Sequence, residues 1–478
     1  MTTVTTRPAR PALDSARRLL PARADTPGWI RWLAVLAVLL TAGTALVIAT
    51  GASSTRHGID VIGHRTAPTV AATEDLYFAL ADMDAQLSNM LLAGDDSALT
   101  KVRDTALAGM EQRRTQVDAD LQQAMTIATN ADAAAQIREL LDLFGKYQGL
   151  AADTLQLANL DHGAAGKPSA RTLDAYRTAT GMVPDLMARA QKLADTNSGV
   201  LESAYSDSEH TTSVARVRIA LLGLLVLGTL IGLQILLRVT LRRRINPALA
   251  LTTVLAAALL LGGFLANSNA GQQLTTAKKD AFDSLLALRQ ARAISYDANA
   301  DESRFLLDPE RAAAYQDAFY NKSQRLAGVS AHTLDDYVPT LDKALSTNSA
   351  GLETALTADS FLGKELRNIT FSSERTAAQN TLTAYQTYQH DDRTLRAQDR
   401  TDLRAAITLD TGPSNDHFAA YDQALVATID INQRAFDSAI ADSESALAGW
   451  NNWLPLGGAV LISVLVLVGV RPRLAEYR

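Results

Sequence analysis

Four stretches of this chain, 33–51, 219–237, 248–266 and 454–470, carry no charged residue and are rich in Leu, Val, Ala and Gly. A hydrocarbon core of about 30 Å takes roughly 20 helical residues, so each stretch is long and apolar enough to cross a bilayer. A lipid-exposed segment must satisfy its own backbone hydrogen bonds, which commits the four spans to helix. The first stretch exceeds the usual apolar region of a secretory signal and lacks a small-x-small site, which favours an uncleaved anchor.

Orientation follows from Lys and Arg in the short flanking segments. Arg7, Arg10, Arg17, Arg18, Arg23 and Arg31 precede the first span, Arg238, Arg242, Arg243 and Arg244 join the second to the third, and Arg471, Arg473 and Arg478 follow the fourth. These segments, 1–32, 238–247 and 471–478, are therefore expected in the cytoplasm, with 52–213 and 268–450 outside. Arg216 and Arg218 oppose this assignment, but two long side chains can snorkel toward the head groups. All four tryptophans, Trp29, Trp32, Trp450 and Trp453, lie at ends of the first and last spans, where an indole is half in water and half in lipid.

The two outer segments hold 13 and 17 basic residues against 22 and 26 acidic ones. Such acidity argues against nucleic acid as a partner and fits a solvated helical surface. Both segments favour helix by propensity, and Tyr176, Val183, Leu186, Met187, Ala190 and Leu193 mark one apolar helical face. Tyr421, Leu425, Thr428, Ile431 and Ala435 mark another. Helix-ending residues cluster at 94–96, 129–132 and 161–168, and again at Asp308-Pro309 and 411–414, with an interrupted stretch near 330–371. The sequence thus predicts an all-α membrane protein with four transmembrane helices and two extracytoplasmic up-and-down four-helix bundles.

The halves also align with each other. Residues 85–92 (AQLSNMLL) match 300–307 (ADESRFLL) at an offset of 215, Tyr147-Gln148 matches Tyr388-Gln389, and Ala175-Tyr176 matches Ala420-Tyr421. A tandem repeat of span, bundle and span is the economical description.

Signs of chemistry are sparse. The chain has no cysteine, and its seven histidines show no metal-ligand spacing, so no metal and no cofactor are expected. Carboxylate pairs such as Asp95-Asp96 and Asp391-Asp392 read as helix ends and solvent-facing surface. Gly262-Gly263 reads as a place of close helix packing. Within the spans the strongest polar side chain is Gln234, which leaves an ion or substrate pathway without stepping stones. Neither an enzyme nor a transporter is expected. The cytoplasmic pieces are too short to fold as an output domain, so output must pass through another protein. Arg242, Arg243 and Arg244 form the cytoplasmic cluster able to recruit an acidic partner surface, although topology and anionic lipid contact account for them more simply.

A span, an extracytoplasmic helical bundle and a second span resemble the sensor regions of chemoreceptors and histidine kinases, with 303–308 (SRFLLD) placed where such bundles turn. Here the unit occurs twice and the output domain of those receptors is missing. With 36 Arg against 9 Lys and abundant Ala, the whole chain looks like actinobacterial GlnX-type membrane proteins, most typically in 297–308 (DANADESRFLLD) and 361–371 (FLGKELRNITF). That resemblance implies a relay between an extracytoplasmic amino-acid-binding lipoprotein, GlnH, and a cytosolic Ser/Thr kinase, protein kinase G. Two other readings stand beside it: a non-signalling scaffold of an envelope complex, and a receptor that binds a small molecule directly.

Overall fold

A computed structural model describes residues 26–127, 131–241, 246–346 and 349–475. Among them no strand forms, and the chain is an all-α, multi-pass membrane protein with four helices long and apolar enough to span. The Arg242, Arg243 and Arg244 cluster lies outside the described residues.

The first half comprises α1 (Thr26–Asp60), α2 (Ala67–Ala93), α3 (Thr100–Ile127), α4 (Ala131–Asp161), α5 (Ala170–Thr180) and α6 (Val183–Leu241). The second comprises α7 (Pro247–Thr275), α8 (Asp283–Leu307), α9 (Ala312–Leu326), three short helices at Leu334–Leu345, Ser349–Ala355 and Phe361–Arg367, then α10 (Glu374–Asp399), α11 (Leu403–Leu409), α12 (Asn415–Ala446) and α13 (Trp453–Ala475). A π-helical turn at Val61–Thr66 carries α1 into α2 without a break, and another at Thr276–Phe282 carries α7 into α8. The two turns begin 215 residues apart, the offset between 85–92 and 300–307.

The expected break after α2 is made by Gly94 at φ 56°, where a Cβ would lie 2.6 Å from the carbonyl oxygen of Gly163, so glycine is required. The helix-ending cluster at 411–414 behaves differently. Its residues form a π-helical turn, Asp410–Ser414, that joins α11 to α12, and the chain breaks instead at 400–402, before the Asp402 cap of α11. Pro413 lies inside this turn, where the bulge has already broken the i→i−4 ladder of the regular helix. The helix entering the fourth span is likewise interrupted, by a turn at 447–452 containing Gly449 at φ 81°, whereas α6 runs unbroken for 59 residues.

The chain divides into two compact units. The smaller holds residues 1–60, 205–274 and 440–478 and contains the spans. Its buried seam includes Ile30, Ala37, Leu230, Leu233, Ile462 and Val466, while Leu224, Val254 and Val460 are largely exposed. Leucines on an outer face are stable in lipid and not in water. Gln234 is absorbed structurally, donating to the carbonyl of Leu249 at 3.1 Å and the hydroxyl of Thr253 at 2.6 Å. A Cβ on Gly263 would meet the Ile48 side chain at 2.9 Å, the close approach expected of Gly262-Gly263.

The larger unit holds 61–204 and 275–439, so the two long segments between spans contribute to one compact body. Its core joins Leu76, Leu87, Phe144 and Tyr176 from the first half to Leu306, Leu307, Leu395 and Ile407 from the second. The apolar face from Tyr176 to Leu193 is buried as the spacing predicts. In the second half the buried stripe runs Tyr421, Leu425, Thr428, Asn432, Phe436 and Ala439, which leaves Ile431 and Ala435 half-buried.

Candidate functional site: a buried polar seam

The larger unit is organised around α2 and α8. Arg289 pairs with Asp75 at 2.6 Å, Gln290 donates to Glu74 at 3.0 Å, and Ser303 donates to Asn89 at 2.7 Å. These partners are 214 to 216 positions apart, so the helices run parallel and meet at the register of the repeat. A helix face that meets its own counterpart in register is the geometry of a parallel two-fold pair.

At the middle of this seam the carboxylate of Asp84, fully buried, accepts from Arg304, from the Tyr147 hydroxyl at 3.0 Å and from the Thr180 hydroxyl at 2.9 Å. Arg304 also reaches Asp301 and, at 3.4 Å, Asp297; Lys322 reaches Asp297 at 2.7 Å and Asp301 at 2.5 Å. Burial works against the charged form of Asp297, but Lys322 and Arg304 together hold it below the usual carboxylate range. In Asp301 burial prevails and the pKa is raised. Three carboxylates and two cations thus sit in a dry interior, where a missing partner costs far more than at the surface.

The aligned tyrosines act alike in both halves. Tyr147 donates to Asp84 on α2 and Tyr388 donates to Glu302 on α8 at 2.6 Å; Tyr176 shares a hydrogen bond with Ser88, and Tyr421 with Ser295, each at 2.8 Å. All four rings are buried. The ends of the seam are pinned by Arg177 of α5, whose Nε donates to the buried Asp308 at 2.8 Å.

A second acidic group adjoins α8. Glu302, Asp392 and Asp410 are all buried, which overturns the reading of Asp391-Asp392 as surface: Asp391 faces His417, but Asp392 lies inside. The helical period alone separates the two, since adjacent residues lie on different faces. Arg396 contacts Asp392 at 2.7 and 3.0 Å and sits 4.5 Å over Phe305 and 5.0 Å over Phe319. Burial pushes Asp410 up to about 7, against the pull of the Ser303 hydroxyl and with a further rise from Asp392. Burial also raises Glu302 well above the usual carboxylate range, reinforced by Asp392 and Asp410. Elsewhere in the unit, burial lifts Glu74 to about 7, and burial with the neighbouring Glu374 lifts Glu365 to about 8.

The sequence singles out 297–308 and 361–371 but assigns no residue in them a role. The available signal is the density of charge in DANADESRFLLD on a helix that must also bury an apolar face. Among the described residues no group of His, Asp and Glu converges as metal ligands do.

Residues 58–206 match the family model of the actinobacterial sensor domain, which covers the first outer segment. No curated protein and no solved structure matches the chain. The match gives this membrane protein a sensor role.

Proposed function

We propose that this chain, carrying a sensor domain of the actinobacterial kind, is a transmembrane relay built from a tandem duplication. In this reading the larger unit lies outside the cell and receives a signal, either a small molecule such as an amino acid or a ligand-loaded binding lipoprotein. The signal leaves through the short cytoplasmic segments to a cytosolic partner such as a Ser/Thr kinase. The chain acts by displacement and not by catalysis, and it contacts membrane lipid but no nucleic acid.

The observation that carries this reading is helix continuity. Helix α6 is unbroken over 59 residues, about 90 Å at ~1.5 Å per residue, and α7 passes through a π-helical turn directly into the seam helix α8. An element of that stiffness can transmit a shift of about 1 to 2 Å, which suffices to switch an interface elsewhere. The duplication is supported by three coincidences at offsets of 214 to 216: the match of 85–92 with 300–307, the π-helical turns and the pairing of α2 with α8.

The test is affinity capture of the detergent-solubilised protein from its native cells, with mass spectrometry of what accompanies it. Recovery of a binding lipoprotein and a cytosolic kinase, with loss of the kinase alone when Arg242, Arg243 and Arg244 are changed to Ala, is the expected result. A stable complex with envelope proteins that responds to no ligand would replace the relay with a scaffold.

A further inference from the structure

The acidic group beside α8 contains one cation for three carboxylates, and that cation is committed. Arg396 makes both of its charged contacts with Asp392 and is held between two aromatic rings. Glu302 and Asp410 receive only neutral donors: Tyr388 at 2.6 Å and Asn299 at 3.2 Å for the former, Ser303 at 3.2 Å for the latter. Glu302 Oε1 and Asp410 Oδ1 are buried and accept no hydrogen bond. The charges that act on both are Asp392, which raises them, and Arg396, which lowers them by less than burial raises them, while Arg404 of α11 is turned to Asp96 at 2.6 Å. A buried carboxyl with no cation in direct contact is stable when it carries a proton.

Ser303 makes this protonation legible elsewhere. Its hydroxyl lies 2.7 Å from Asn89 Oδ1 on α2 and 3.2 Å from Asp410 Oδ2, and a hydroxyl has one proton to donate. When Asp410 is an acid, Ser303 is free to donate across the seam to Asn89. When Asp410 releases its proton to the medium, the new carboxylate is the stronger acceptor and draws the Ser303 hydroxyl away from α2.

We propose that the larger unit senses protons, with Asp410, backed by Glu302, as the group that binds and releases them and Ser303 as the link that reports its state across the α2–α8 seam. This names a stimulus for the relay and rests on that reading only for its downstream consequence. Acidification ties the two halves together, and alkalinisation releases them.

The experiment uses the full chain in nanodiscs. Infrared difference spectra recorded across neutral pH should show a buried carboxylic-acid carbonyl band that vanishes with a midpoint of about 7. Because Glu74 and Glu365 are raised into the same range, the spectra are taken on a Glu74→Gln, Glu365→Gln background, where that band should be missing from Asp410→Asn. Hydrogen exchange at the amides around Asn89 and Ser303, divided by the intrinsic rate at each pH, should rise by about fivefold over the same interval, the size of one neutral hydrogen bond. Ser303→Ala should keep the infrared band and lose the pH response of exchange, which keeps the idea testable if Asp410→Asn does not fold. The proposal is overturned if no acid band titrates near neutrality, if Asp410→Asn retains it, or if Ser303→Ala leaves the exchange response intact. A titrating site whose state does not alter partner capture would sink the relay and spare the proton site.

Discussion

At the scale of single residues the larger unit spends charge where most soluble domains spend only apolar contacts. Asp84 illustrates the consequence. Replacing it with Ala strands Arg304 with two remaining carboxylates and leaves the hydroxyls of Tyr147 and Thr180 without their acceptor. The expected loss is about 3 kcal/mol, as for other buried pairs broken from one side, and it should appear as a lowered melting temperature in detergent. Glu111→Ala, which removes an exposed partner of Arg114, should leave melting unchanged. The raised carboxyls give a second expectation. Asp410 and Glu74 hold their protons to about 7 in the folded protein but release them near the ordinary carboxylate range when unfolded. The native state therefore binds more protons between those limits, and stability falls as pH rises from about 4 to about 7 and then levels off. Thermal unfolding at a series of pH values checks this, and Glu74→Gln should flatten part of the slope. None of these partners is legible in the sequence, because Asp84 and Arg304 are 220 positions apart and a charged residue on an amphipathic helix ordinarily faces water.

At the scale of elements, much is legible. The four uncharged runs, the helix stops at Gly94 and Asp308-Pro309, and the face from Tyr176 to Leu193 all follow from composition and a 3.6-residue period. What escapes is the π-helical turn. One extra residue in a turn leaves no compositional mark, so Gly412-Pro413 looks like a stop and Val61–Thr66 like ordinary helix. Close helix approach is legible through glycine, and it allows a paired prediction in the span unit. A side chain on Gly263 must displace Ile48, so Gly263→Leu should cost about 1 to 3 kcal/mol through overpacking. A Cβ on Gly457 would meet nothing within 4 Å, so Gly457→Ala should be silent. Thermal unfolding and the yield of monodisperse protein would distinguish them, and equal damage from both would show that Gly263 is not a packing contact.

At the scale of the whole molecule, the proposed duplication would account for the single core that 61–204 and 275–439 share. A single helical half exposes the face of its first helix, and the second half presents the matching face at the same register, so one chain buries what two separate copies would otherwise bury by pairing. The sequence points to two bundles because short Ala- and Leu-rich matches do not reveal which faces meet. The orientation of the spans rests on the distribution of arginine, and the absence of native cysteine makes it directly measurable. Single cysteines placed at Lys192 and Thr383, both exposed in the larger unit, should react in intact cells with a maleimide that cannot cross the membrane. Single cysteines at Ser15 and Tyr477 should react only after the cells are opened. The reverse pattern would put the larger unit in the cytosol, in which case a signal from outside could not reach the α2–α8 seam and the relay would have to run from inside to out.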